Sequence, residues 1–152
     1  MAATDIAFRE IFPGTGAYLQ ERALRNILLR QPLGLTLDAE VRDWEDGTRH
    51  FGLFDVAGDL LACVLASPLS DDSVRIRQMA VSPTRQSSGL GRRLMQEAEA
   101  ELRRSGVKSL SLHARDTAIG FYEKLGYSRI GDIYLELGIP HQLMGKELAG
   151  SV

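Results

Sequence analysis

The chain has 152 residues, 44% of them hydrophobic and 25% charged, with a formal net charge of −2. That length suits one compact domain spanning 1–152, and the charge balance speaks against a nucleic-acid or membrane-surface partner. No apolar run approaches the roughly 18–20 residues of a membrane span, the first residues lack the blocks of a signal peptide, and the single cysteine, Cys63, cannot form an internal disulfide, which fits a reducing, cytoplasmic compartment. In chain order, the pattern predicts a strand at 6–11 and a helix within 14–30, with Tyr18, Ala23, Ile27 and Leu28 among its apolar positions. Gln31-Pro32-Leu33-Gly34 ends that helix. A short second helix is expected at 37–44, then a hairpin of strands at 49–56 and 60–67 across Ala57-Gly58-Asp59. A fourth strand at 74–81 leads through a loop into a long helix with an apolar stripe at Leu90, Leu94, Met95, Ala98 and Leu102, ending at Gly106. A fifth strand follows at 108–113. A helix capped by Asp116 then runs to Leu125, and two last strands, at 127–137 and 141–148, flank Gly138-Ile139-Pro140. Strands, then a βαβ unit, then strands give a mixed α/β sheet of about seven strands with helices on both faces.

The segment that carries most information is Met79 to Gly91, where a strand ends, a loop of Gln, Ser and Gly follows, and an amphipathic helix opens directly from it. That order points backbone N–H groups and the positive end of a helix dipole at one place, which suits a pyrophosphate. Gly89 and Gly91 lack a Cβ and let an anion approach the backbone. An ordinary strand–turn–helix connection reads the same way when only a Gly-x-Gly is counted. Two phosphate loops are excluded. A P-loop needs Lys-Ser/Thr after its second glycine, where this chain has Arg92-Arg93, and a dinucleotide fingerprint needs a third glycine where Leu94 stands.

A third pattern fits. Gln86-Ser87-Ser88-Gly89-Leu90-Gly91 resembles Q/R-x-x-G-x-G/A, the acyl-coenzyme A pyrophosphate loop of the GNAT superfamily of N-acyltransferases, and Gln78-Met79-Ala80-Val81-Ser82-Pro83 is similar to the strand that leads into it. Ala118-Ile119-Gly120-Phe121-Tyr122-Glu123-Lys124-Leu125-Gly126-Tyr127 resembles the family's A-x-x-F-Y-E-K-L-G-F/Y segment. The two blocks, in order and properly spaced, span the second half of the chain. The resemblance implies a mostly antiparallel sheet with a splay between the fourth and fifth strands for the cofactor's pantetheine arm. It implies acetyl-CoA as acyl donor, no metal, a small-molecule or peptide amine as acceptor, and leaves a homodimer open. It also implies cofactor contacts at Met79, Ala80, Val81, the loop from Gln86 through Ser87, Ser88, Gly89, Leu90 and Gly91 to Arg92, and Phe121. Separately from the resemblance, Lys124 or Arg115 either reaches the cofactor's phosphates or is solvated at the surface. A non-catalytic acyl-CoA-binding module of the same fold is the alternative.

Acetyl transfer to an amine needs a neutral nucleophile, a donor for the tetrahedral oxygen and an acid for the leaving thiolate. By resemblance, Tyr122 is the acid; otherwise it packs against the sheet like Tyr127. The oxygen's donor is the fourth-strand backbone N–H near Met79 or Ala80. No acid stands on the strand from Val74 to Met79, so the base is either His113, at the expected end of the fifth strand, or a water chain. His113 is equally readable as a structural histidine. Arg75 and Arg77 share one face by period-two alternation and either bind an anionic group of the acceptor or face solvent. His141 either lines the acceptor pocket or is structural, and Cys63 reads as a buried thiol. Many relatives have Asn seven residues before the catalytic Tyr. Here Arg115 stands there, which leaves the pantetheine contacts of that segment open. The stretch 11–44 is expected to shape the acceptor pocket.

Overall fold

The computed structural model describes residues 5–34, 47–85 and 89–148. The helix expected at 37–44 and Gln86, Ser87 and Ser88 lie outside them. Strand β1 is Ala7–Ile11, helix α1 Gly16–Arg25, β2 Arg49–Phe54, β3 Leu60–Pro68, β4 Ser73–Val81, α2 Leu90–Arg104, β5 Ser109–Arg115, α3 Ile119–Lys124, β6 Ser128–Glu136 and β7 Ile139–Glu147. The strands form one mixed sheet in the order β1-β2-β3-β4-β5-β7-β6. The chain divides into two compact units, one built from the chain up to Ser67 with Gln78–Ala98, the other from Pro68–Arg77 with the chain from Glu99 onward.

In the first unit, β1 pairs antiparallel with β2 from Ala7↔Phe54 to Ile11↔His50, and β2 pairs antiparallel with β3 from Arg49↔Ala66. Strand β3 is buried on both faces from Leu61 to Ser67, as a continuous apolar run predicts for a central strand. At Gly52 in β2 a Cβ would stand 2.7 Å from Leu60 Cδ1 and 2.8 Å from Ile11 Cδ1, so the ends of those side chains would have to shift to admit one. Helix α1 starts at Thr15, whose hydroxyl accepts from the Tyr18 N–H at 3.2 Å. The α-helix stops at Arg25, and residues Asn26–Arg30 form a π-helical turn rather than its continuation. Its buried residues are Glu21 and Arg25, while Ala23 and Ile27 are exposed. This corrects the apolar stripe read from the sequence: an ion pair occupies the position of an apolar ridge.

In the second unit, β4 and β5 run parallel, and their paired register extends from Ser73↔Ser109 to Ile76↔Leu112. Strand β5 pairs antiparallel with β7, and β7 with β6. Helix α2 ends in a Schellman motif, with Gly106 at φ +96, its N–H donating to the Arg103 carbonyl and Val107 N–H to the Leu102 carbonyl, each at 3.0 Å. Strand β5 runs on to Arg115, so His113 lies inside it rather than at its end. Asp116 opens a 3-10 turn, Asp116–Ala118, and its carboxylate accepts from the Thr117 N–H at 3.0 Å, so it does not cap α3. Strand β7 begins at Ile139, which places His141 within the strand rather than just after a turn. The β6–β7 register shifts between Ile130 and Tyr134, and Gln142 Nε2 fills the gap by donating to the carbonyls of Ile130, Gly131 and Leu143.

Candidate functional site

Strand β4 carries an uncommon backbone state in the first unit. Gln78 sits at φ +50, the left-handed region that a non-glycine residue rarely adopts. Met79 and Val81 follow half-buried and Ala80 is buried. A 3-10 turn, Pro83–Arg85, leads off the strand, and Gly89, at φ +81, stands directly before α2. A Cβ on Gly89 would meet nothing within 4 Å, so the glycine is needed there for its backbone conformation and not for room inside the protein. Leu90 is buried, whereas Arg92 is exposed beside it. Arg93 is engaged, donating from Nε to Glu97 and from Nη2 to the Ile6 carbonyl.

The side chain of Gln78 belongs to a polar network that sequence reasoning missed. Arg25 Nε donates to Gln78 Oε1 at 2.7 Å, and Arg25 Nη1 to Glu21 Oε2 at 2.7 Å. His50 Nδ1 lies 2.9 Å from each Glu21 oxygen and donates to the carboxylate. Glu21 and Arg25 are fully buried, and His50 is 2% exposed. The i,i+4 spacing of Glu21 and Arg25 was a visible signal of an ion pair, but nothing in it revealed burial. Cys63 is the buried thiol the sequence suggests: burial, with help from the Glu21 charge, pushes its ionisation well above the ordinary thiol range.

Tyr122 and Tyr127 have opposite fates in the second unit. Tyr127 is tied down, its hydroxyl donating to Glu99 Oε2 at 2.8 Å while Lys146 Nζ holds the other Glu99 oxygen at 2.7 Å. Tyr122 is 8% exposed, packed edge-on against Phe121 and Tyr127. Yet its hydroxyl has no hydrogen-bond partner among the described residues, and the oxygen is not sealed from solvent. Burial pushes its ionisation up to about 12. Lys124 is exposed at the end of α3.

The second unit also brings together Arg75, His113 and His141, named from the sequence, with Ser111 and Tyr134, which were not. Arg75, Ser111 and His113 share one face of the parallel β4–β5 pair. Arg75 Nε donates to Ser111 Oγ at 2.8 Å and its Nη1 to His113 Nε2. A guanidinium cannot accept, so Nε2 carries the lone pair and Nδ1 the proton, which is donated to the Tyr134 hydroxyl. His113 is held neutral to lower pH than usual, first by burial and then by the Arg75 charge, with Arg77 and His141 adding to this and Glu136 opposing it. Its lone pair is engaged, so His113 can receive a proton only when Arg75 moves off Nε2. His141 joins the group by stacking on Tyr134 at 6.0 Å between ring centres. Its Nδ1 donates to the Ile139 carbonyl at 2.7 Å, and its Nε2 lies 3.4 Å from Glu136 Oε2. Arg77 lies on the same face of β4 as Arg75, and its acidity is raised first by burial and then by Arg75. Among the described residues, Arg75's hydrogen bonds go to the neutral Ser111 and His113, and none of their carboxylates stands at contact distance from it. Tyr134 was not singled out in the sequence, where it reads as one more residue of an edge strand.

Comparison with known proteins agrees with this fold. Residues 38–148 match the family model described as the acetyltransferase (GNAT) domain, and the chain belongs to that family. It is 30% identical to the uncharacterized N-acetyltransferase YitI of Bacillus subtilis over 135 residues, 84% of this chain and 90% of that one. With Bacillus subtilis YyaT it is 31% identical over 80 residues, 53% of this chain, so the match spans only 54% of that relative's length. Among solved structures, one described as an N-acetyltransferase of Lactobacillus plantarum superposes with a TM-score of 0.82 at 26% identity, covering 94% of this chain and 99% of that one. An aminoglycoside 6'-N-acetyltransferase solved with coenzyme A gives a TM-score of 0.79 at 16% identity, covering 96% and 99%, a likeness of fold.

Proposed function

We propose that this chain transfers an acetyl group from acetyl-CoA to the primary amine of an acceptor by direct attack in a ternary complex. One observation supports this most: Tyr122, in the segment that resembles the family's F-Y-E-K-L-G motif, keeps a hydroxyl that no group among the described residues claims, and burial favours its protonated form. In the reaction the amine nitrogen attacks the thioester carbonyl, a C–N bond forms and the C–S bond breaks. The tetrahedral oxygen is held by a backbone N–H at Met79 or Ala80. Tyr122 gives its proton to the leaving sulfur, and the proton lost by the amine goes to His113 or to water. Gly89, Leu90, Gly91 and Arg92 at the start of α2 would hold the pyrophosphate of the donor, with Gln86, Ser87 and Ser88 preceding them.

Arg75 and Arg77 are assigned to the acceptor. The Arg75 guanidinium, whose hydrogen bonds among the described residues go to Ser111 and His113, retains its charge for an anionic group, and Arg77 is assigned with it because alternation puts both on one face of the strand. A carboxylate or phosphate that drew Arg75 away from His113 would also release the Nε2 lone pair that the proton transfer needs. The decisive measurement is thiol release from acetyl-CoA with a panel of amines, amino sugars, polyamines, amino acids and peptide N-termini, alongside calorimetry with coenzyme A. Turnover with an acceptor supports the enzyme. Tight coenzyme A binding without turnover on any acceptor would return the chain to an acyl-CoA-binding module.

A further inference from the structure

The network of Glu21, Arg25, His50 and Gln78 joins a helix, a strand and a strained backbone position. Three of its members are among the most deeply buried side chains of the first unit. Charged groups of this kind pack a helix no better than apolar residues of the same volume, so helix docking alone does not account for them. Their arrangement is directional. His50, flanked edge-on by Tyr18 at 5.4 Å, fixes the Glu21 carboxylate, Glu21 fixes the Arg25 guanidinium, and Arg25 Nε reaches the side-chain oxygen of the one residue of β4 with positive φ. Cys63 faces the same charges as a neutral thiol. A glutamine has no intrinsic preference for φ +50, and such a state persists only where the surroundings over-determine it.

We propose that Glu21, Arg25 and His50 are positioning residues. Through the Arg25–Gln78 hydrogen bond they hold Gln78 in its left-handed conformation and so set the direction of the backbone N–H groups of Met79 and Ala80. The catalytic consequence rests on the reading above, in which one of those N–H groups holds the tetrahedral oxygen. The conformational claim stands apart from it. All three are buried, Glu21 and Arg25 fully and His50 with 2% exposed, so their role is not a direct contact with substrate. They act through the backbone, which a one-residue change in torsion re-aims.

Gln78→Leu and Gln78→Gly separate this role from a direct contact by the Gln78 side chain. Leucine keeps the bulk, loses the acceptor and disfavours positive φ, while glycine loses the side chain but takes φ +50 freely. Arg25→Lys keeps the charge opposite Glu21 but loses the fork that spans Glu21 and Gln78. The amide 1H–15N resonances of Met79 and Ala80, thermal melts, coenzyme A affinity, and kcat and KM are measured for each. Gln78→Leu and Arg25→Lys are expected to shift both resonances. They should lower kcat by about tenfold or more, short of the roughly 10²–10³ expected from deleting a donor outright, with coenzyme A affinity within about twofold. Gln78→Gly should keep kcat within about threefold of the parent, and Arg25→Lys should cost far less in that background than alone. Gly as damaging as Leu, unmoved resonances, or an equal Arg25→Lys effect in both backgrounds overturns the proposal. Should Arg25→Lys not fold, the two Gln78 variants decide. Should no amine be turned over by the parent protein, the proposed function fails while the resonances still decide the positioning claim.

Discussion

Tyr122→Phe tests the proposed acid with little structural disturbance. The substitution removes one oxygen, and that oxygen makes no hydrogen bond with the described protein. No internal bond is lost, so stability should change by no more than about 0.5 kcal/mol, the range of substitutions that break no specific feature. Tyr127→Phe is the contrast. It removes a donor from the buried Glu99 carboxylate, which should cost about 1–3 kcal/mol and lower the melting temperature. If Tyr122 protonates the thiolate, Tyr122→Phe should reduce kcat by about 10²-fold, the lower end for general acid catalysis, or about 2.7 kcal/mol of transition-state stabilisation. Coenzyme A affinity should barely move. With ionisation pushed up to about 12, Tyr122 stays protonated through the usual assay range, so the parent enzyme should show no falling alkaline limb from this group below that pH. Thiol release with a responsive acceptor, thermal melts and calorimetry on the three proteins supply the data. A kcat for Tyr122→Phe equal to the parent's would assign Tyr122 to packing and refute the argument.

The pH profile of kcat/KM should rise through a limb set by His113 below the reference value of about 6.5, because burial and Arg75 both favour its neutral, proton-accepting form. Arg75→Met removes one of those cations and should move the limb upward while raising KM for acceptors that carry an anionic group. A limb that follows the acceptor's own basicity, and survives in His113→Ala, would send the proton through water, with His141→Ala as the parallel control. At Gly89, an alanine meets open space but must adopt φ +81. Gly89→Ala should therefore cost about 1–2 kcal/mol of stability from the left-handed backbone with measurable coenzyme A binding, and Gly89→Glu should abolish binding in calorimetry by placing like charge at the phosphates. Equal affinity for parent and Glu variant would remove the pyrophosphate from this turn. Cys63 should resist thiol reagents at pH 8 in the folded protein and react once it is denatured, since burial holds its thiol protonated. Rapid labelling of the native protein would contradict that.

The local sequence decided which segments became strands and helices, because their signals are local. The apolar run of β3, the stripe of α2 and the glycines at positions 106 and 126 specify period and termination within a few residues. The two spaced motifs around Gly89 and Tyr122 identified the family for the same reason. Alternation placed Arg75 and Arg77 on one face without any tertiary information. What contacts that face was not legible. The Arg75–His113 contact depends on the parallel register that sets Arg75 opposite Ser111. Tyr134 reaches His113 from β6, where the β6–β7 pairing is irregular between Ile130 and Tyr134. Tyr122 and Tyr127, five residues apart and chemically identical, were separated only by Glu99, which accepts from one and not the other. Glu21, Arg25 and His50 were the least legible of all. A charged residue in an amphipathic pattern reads as solvated, and only the packing of α1 and β2 reveals that these three are enclosed. Local propensity acts over a turn or a strand, whereas partners for buried charge come from elements tens of residues apart, and so only the tertiary structure assigns them.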